Sequence, residues 1–207
     1  MGTLICASNA NNVLTDFIQS GTYDRRRPLY KTTSPSMDIL VSSNLERLLY
    51  LLSGDTALVA SLMEQLNREG HYTVPDSLRE AIQAEFWAGC CDDARAEEVM
   101  GRVYKDYGYL CDPHTASGWA AVEDYVNQTV DHTPMVVLST ASPYKFPAAV
   151  LRAVGEKAQG DEYTQMRQLE EATGVPIPKN LSSLQGKPER HTGVIAKEEM
   201  LNYVLNL

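Results

Sequence analysis

Thr140 follows an apolar run, Met135-Val136-Val137-Leu138, and sits beside Ser139. After it come Ala141-Ser142-Pro143-Tyr144-Lys145-Phe146. A buried parallel strand delivers polar groups to a crevice at its carboxyl end in this way. The hydroxyls of Ser139 and Thr140 can hydrogen-bond a neutral ligand group, and Lys145 can reach an anionic one. The plain alternatives are a turn or helix cap for Thr140 and a solvent-facing lysine for Lys145. Asp112-Pro113-His114-Thr115 is the next constellation. Its proline fixes a tight turn, and His114 has the chemistry to contact phosphate or carry a proton near neutral pH. A turn histidine satisfied by local hydrogen bonds is the competing reading. Ser34, Ser36, Asp38, Asn44 and Arg47 form a third group. Hydroxyls and an amide bond carboxylate or phosphate oxygens, and a guanidinium adds a charged fork. Asn44 can equally be a helix N-cap, and Glu46 and Arg47 solvated helix charges. Asn9 and Asn11 follow an apolar segment, where they serve a ligand crevice or simply a turn. Arg25-Arg26-Arg27 attracts phosphate or lies solvated in a loop; clustered charge favours the loop.

These groups need a scaffold, and 207 residues with 43% hydrophobic content supply one globular unit with a sizeable core. A formal charge of -9 argues against general nucleic-acid binding and a polybasic membrane surface. No apolar run approaches the roughly 18 residues of a membrane span. No signal peptide is visible, so a cytoplasmic location is the expectation. Cys6, Cys90, Cys91 and Cys111 lack the paired spacing of a zinc site and do not resemble a disulfide scaffold. Reduced thiols and no metal are expected.

The elements follow from periodicity. Residues 3–8 read as a short buried strand and 13–19 as a helix closed by Gly21. Residues 23–33 read as a loop. Leu45, Leu48, Leu49 and Leu52 share one helical face, and Gly54 closes that helix. Asp55 caps a second helix, with Leu58, Leu62 and Leu66 on one face, that ends at Gly70. Pro75-Asp76-Ser77 opens a third. Residues 86–91 are a candidate strand, and Asp92-Asp93 starts a helix through about 107. Residues 115–127 read as helix with Trp119, Val122 and Val126 on a packed face. Residues 134–139 read as the clearest strand. Pro147 starts another helix, through about 154. A helix from Asp161, a Pro/Gly-rich loop over 174–193 and a final helix from Lys197 complete the chain. Strands separated by helices indicate an α/β layered arrangement dominated by helix.

Four segments together carry a resemblance: Ile5-Cys6-Ala7-Ser8-Asn9-Ala10-Asn11-Asn12, Ser34-Pro35-Ser36-Met37-Asp38 leading to Asn44-Leu45-Glu46-Arg47, Asp112-Pro113-His114-Thr115-Ala116, and Ser139-Thr140-Ala141-Ser142-Pro143-Tyr144-Lys145-Phe146. In this order they resemble the carboxyl-terminal part of threonine synthase, a fold-type II enzyme that uses pyridoxal phosphate (PLP). The resemblance implies a layered αβα fragment with a few mostly parallel strands. It spans most of residues 1–207, as one carboxyl-terminal portion of a catalytic domain. The family's PLP lysine stands in a Phe-Lys-Asp context and its phosphate loop is Gly-Asn-Phe-Gly; neither occurs in the 207 residues. Both lie upstream of the Cys-Ala-Ser-Asn segment in the family.

The resemblance implies a share in a PLP-dependent carbon-oxygen lyase of threonine biosynthesis. That enzyme converts O-phosphohomoserine and water to threonine and phosphate. Thr140, with Ser139 as its neighbour, is implied as the partner of the cofactor ring nitrogen. Ser34, Ser36, Asn44, Arg47, His114 and Lys145 are implied on the substrate side. Lys145 aligns with a family lysine other than the one that carries the cofactor, so no Schiff-base lysine is identified. The chain alone is expected to be inactive and not to hold PLP stably. Pairing with the missing amino-terminal portion is the expected remedy. A non-catalytic binding or interaction module derived from the same fold is the alternative, and another fold-type II lyase is a third.

Overall fold

The computed structural model describes residues 2–190 and 192–207. Its elements run β1 (Leu4–Ser8), α1 (Val13–Ser20), β2 (Thr22–Asp24), α2 (Leu45–Ser53), α3 (Thr56–Glu69), β3 (His71–Thr73), α4 (Asp76–Glu85), β4 (Phe86–Cys90), α5 (Asp93–Tyr107), α6 (Pro113–Thr129), α7 (Pro147–Ala153), α8 (Glu162–Thr173), α9 (Lys179–Ser182) and α10 (Met200–Leu205). Short 3-10 turns occupy Pro35–Met37, Pro143–Lys145 and Lys197–Glu199. Position 191, inside the expected loop over 174–193, lies outside the described residues.

The helix starts obey side-chain chemistry. Asp55, Asp92, Asp112 and Asp161 each accept a backbone N–H of the first turn that follows. Each bond satisfies a donor that the helix itself leaves unpaired. Gly70, at φ 78°, ends α3 in the left-handed region and turns the chain directly into β3.

β1 and β4 pair in parallel, with Cys6 opposite Ala88 and Ser8 opposite Cys90. Side chains alternate across a strand, so β4 faces two ways. Phe86 and Ala88 join the core built on Phe17, Leu49, Leu66, Tyr72 and Ile82. Trp87 meets Tyr125 of α6 edge-on, at 5.6 Å between ring centres. The small sheet therefore lies between α1 and α6, a layered αβα arrangement in a chain 54% helical. A second core packs α5, α6, α7 and α8 together through Val99, Val103, Ala120, Val150 and Leu169. β2 and β3, read from sequence as loop or left unassigned, pair antiparallel, with Tyr23 opposite Tyr72 and their rings stacked at 5.4 Å.

Two further expectations are corrected. Lys179–Ser182, within the expected loop over 174–193, form the short helix α9. Residues 134–139 form no strand. A strand needs a neighbouring backbone to pair with, and among the described residues β1 and β4 pair with each other instead. Met135 and Val137 turn toward α6, while Val136 and Leu138 remain 83% and 74% exposed.

Candidate functional site

Asn9 and Asn11 leave β1 as buried side chains and pin the segment that follows β2. The Asn9 amide nitrogen donates to Asp38 Oδ1 at 2.8 Å and to Ser34 Oγ at 3.0 Å. Asn11 donates to the same Asp38 oxygen at 3.0 Å and to the Tyr30 carbonyl at 2.9 Å. Thr32 adds its hydroxyl to Asp38 Oδ1 at 2.7 Å. These bonds hold residues 30–38 against the carboxyl end of β1 and present the 3-10 turn at Pro35–Met37.

That turn meets the start of α6. The Ser36 amide donates to His114 Nε2 at 3.3 Å. His114 Nδ1 lies 2.7 Å from Asp112 Oδ1. An amide can only donate, so Nε2 carries the lone pair, Nδ1 carries the proton, and the ring is neutral. On its other oxygen Asp112 accepts the Thr115 hydroxyl. The Thr115 oxygen in turn accepts the Thr140 amide at 3.4 Å. Burial by itself raises the Asp112 pKa, but the bonds from His114 and Thr115 outweigh it and hold the carboxyl below its usual range.

Ser36, His114, Asp112, Thr115 and Thr140 therefore stand in one hydrogen-bonded path. Three segments distant in sequence meet there. Ser139 accepts the Tyr109 phenol at 2.8 Å, and the Phe146 ring lies 4.9 Å from that of His114. The Thr140 side chain is exposed, and among the described residues its hydroxyl makes no hydrogen bond. Lys145 is likewise exposed at the end of its 3-10 turn. Beside Thr115, a groove of about 380 Å³ runs between α6 and residues 135–137, lined by Trp119, Val122, Met135 and Val137.

Other expected residues stand apart. Ser34 is buried, and its hydroxyl is already bonded to Asn9, so it shapes the turn. Asn44 accepts the Ser42 hydroxyl at 2.8 Å before α2, and Arg47 lies exposed on that helix; neither side chain joins the path. The arginine run is largely spent on neighbours: Arg26 on Asp24, Arg27 on Asp16 and Asn12, Arg25 on the Asn67 carbonyl. Asp112 is the residue that composition and motif reading left without a role. Its signal was the spacing to His114 and Thr115, which lets one N-cap carboxylate reach both side chains.

No group of three or more metal-ligating side chains is assembled among the described residues. Cys91 and Cys111 are buried, and burial pushes their thiols up to about 11 and about 12 respectively. Both are unreactive core residues at neutral pH. Among the described residues no helix is long and apolar enough to cross a membrane.

The family model described as "Threonine synthase, C-terminal" matches residues 115–204. Threonine synthase of Pseudomonas aeruginosa is 36% identical over 191 residues, covering 91% of this chain and 40% of that protein. Threonine synthase-like 1 of Homo sapiens is 40% identical over 152 residues, covering 72% of this chain and 20% of that protein. Among solved structures, PLP-bound threonine synthase from Brucella melitensis superposes with a TM-score of 0.70 at 33% identity, over 84% of this chain and 41% of that one. The yeast threonine synthase structure gives a TM-score of 0.71 at 29% identity, over 82% of this chain and 37% of that one. The chain thus spans well under half the length of each.

Proposed function

We propose that this chain, which corresponds in sequence and fold to the carboxyl-terminal portion of threonine synthases, forms the half of such an enzyme that holds the cofactor ring nitrogen and the substrate. The whole enzyme converts O-phosphohomoserine and water to threonine and phosphate, as a carbon-oxygen lyase of threonine biosynthesis in the cytoplasm. The observation that carries the reading is the hydrogen-bonded path from Ser36 through His114, Asp112 and Thr115 to Thr140. It draws three of the four family-like segments to one place.

The donor set suits PLP on the ring-nitrogen side. Thr140 offers a neutral hydroxyl with no partner among the described residues, on a backbone anchored to Thr115. PLP supplies an electron sink when bound, and the partner of its ring nitrogen tunes that capacity. A neutral hydroxyl does not enforce a protonated ring as a carboxylate would. The phosphate cradle and the Schiff-base lysine come from an amino-terminal portion that carries Phe-Lys-Asp and Gly-Asn-Phe-Gly, with which this chain pairs. Ser36 and Lys145 supply an exposed hydroxyl and ammonium for the anionic substrate. Neutral His114 holds the Ser36 turn in place and leaves Nε2 with no proton to give. Asn44 and Arg47 serve the substrate only if α2 approaches the site when the other portion is present.

A non-catalytic module that keeps this half of the fold is the competing reading. Thr140→Val, made in a polypeptide that also carries Phe-Lys-Asp and Gly-Asn-Phe-Gly, separates the two. The enzyme reading expects turnover on O-phosphohomoserine to fall at least ~10-fold while thermal stability stays put. Equal turnover in mutant and wild type removes Thr140 from the cofactor.

A further inference from the structure

Asp112 has no exposed surface, so it cannot touch a ligand. Even so, the hydrogen-bonded path between the Ser36 turn and the Thr140 segment passes through both of its oxygens. We infer that Asp112 is a positioning residue whose single carboxylate sets both the His114 ring that holds the Ser36 turn and the Thr115 hydroxyl that holds the Thr140 amide. The inference deepens the proposed function and rests on its placing of these segments around a ligand.

Proton direction couples the two arms. The Ser36 amide needs a lone pair at His114 Nε2, 3.3 Å away. Only the tautomer with its proton on Nδ1 provides that, and this proton points at Asp112 Oδ1, 2.7 Å away. The opposite tautomer sets an N–H against the Ser36 N–H and a lone pair against the carboxylate. Two contacts turn repulsive at once, so the carboxylate selects the tautomer. On the other arm, Asp112 Oδ2 takes the Thr115 proton. The Thr115 lone pairs are then left facing the Thr140 amide at 3.4 Å. Asp112 Oδ1 also accepts the His114 amide at 2.9 Å as the N-cap of α6. The start of that helix and both arms thus share one origin. Among the described residues no arginine or lysine pairs with Asp112; His114 is its one salt-bridge partner by distance. The buried charge is met by these donors and by the positive end of α6.

An asparagine at this position cannot do the same. Its one oxygen can accept on only one arm: facing His114, it leaves the amide nitrogen donating toward Thr115, whose hydroxyl proton must point elsewhere; facing Thr115, it sets that nitrogen against His114 Nδ1 and favours the opposite tautomer. Side-chain nitrogen NMR of His114, together with the Ser36 and Thr140 amides, reads the outcome in the wild-type chain, Asp112→Asn and Thr115→Val. The wild type is expected to show a proton on Nδ1 and a lone pair on Nε2. Thr115→Val should move the Thr140 amide and leave the His114 tautomer and the Ser36 amide unchanged. Asp112→Asn should mix the tautomers and move both amides, while signals from α3 stay in place. In the complete enzyme, Asp112→Asn should lower kcat/KM ~10-fold or more, the scale of lost outer-shell partners. A wild-type proton on Nε2 overturns the inference whether or not the variants fold. So does a folded Asp112→Asn that leaves tautomer and amides unmoved, or one with unchanged kcat/KM. A wild-type complete polypeptide without turnover would refute the proposed function and leave the NMR result to stand on its own.

Discussion

Ser36 and His114 stand 78 positions apart, yet the amide of one donates to the ring nitrogen of the other at 3.3 Å. His114→Phe keeps an aromatic ring, slightly larger, and removes both nitrogens. One bond to a buried carboxylate and one to the Ser36 turn disappear together. The expected cost is about 1–3 kcal/mol, measured by denaturant unfolding. Hydrogen exchange at the Ser36 amide should quicken more than at amides in α3. Unchanged exchange at Ser36 would mean that the bond does not hold the turn.

Asp112 predicts a specific acid sensitivity. Its folded pKa is depressed, because the bonds from His114 and Thr115 outweigh the burial that raises it. The unfolded chain binds this proton more readily than the folded one. The stabilisation is therefore present above the unfolded value of about 3.9 and is lost as pH falls through the lower folded value. Stability measured against pH should fall more steeply in that window for the wild type than for Asp112→Asn. Parallel curves would show that Asp112 is not the group responsible.

Val130 is the one non-glycine residue at positive φ among the described residues, at 56°, where it closes α6. A β-branched side chain there strains the backbone by about 1–2 kcal/mol. The side chain is 67% exposed and gives little in return. Val130→Gly should stabilise the chain by about 1 kcal/mol despite the added freedom of the unfolded state. A loss of stability would show that the Val130 side chain contributes contacts that outweigh its strain.

Gly101 makes the opposite case. A Cβ at this position would lie 2.4 Å from the Ala153 carbonyl oxygen, where α5 meets α7. Backbone must move to admit it, so Gly101→Ala should cost about 1–3 kcal/mol as overpacking, although alanine is the better helix former. A thermal melt decides it; a raised melting temperature would contradict the close approach.

Local rules made much of this fold legible. Asp55, Asp92 and Asp161 announce their helices, and β1 and β4 appear as short apolar runs with turn residues after them. Residues 134–139 misled because a run of Met, Val and Leu reports that a segment can be a strand, whereas pairing depends on which backbone lies beside it. β2 and β3 were missed because three residues carry almost no periodicity. In the site, His114, Thr140 and Ser36 were visible as types and motifs. Their connection was not, because it depends on two folding elements meeting across 78 and 25 positions. Asn44 and Arg47 had the right chemistry, but one precedes α2 and the other lies exposed on it, and neither side chain joins the path.

Phosphate release from O-phosphohomoserine, joined to absorbance spectroscopy after dialysis, tests the account most directly. Two samples are needed: the 207-residue chain alone, and a polypeptide joining it to an upstream portion that contains Phe-Lys-Asp and Gly-Asn-Phe-Gly. The account predicts a colourless, inactive chain alone, because it contains neither the aldehyde-binding lysine context nor a phosphate cradle. It predicts a persistent stoichiometric PLP chromophore and phosphate release from the joined polypeptide. Turnover with stable PLP in the chain alone would contradict the division of labour and direct attention to Lys145. A correctly folded joined polypeptide that binds PLP but releases no phosphate would contradict the assignment of this chain to the reaction.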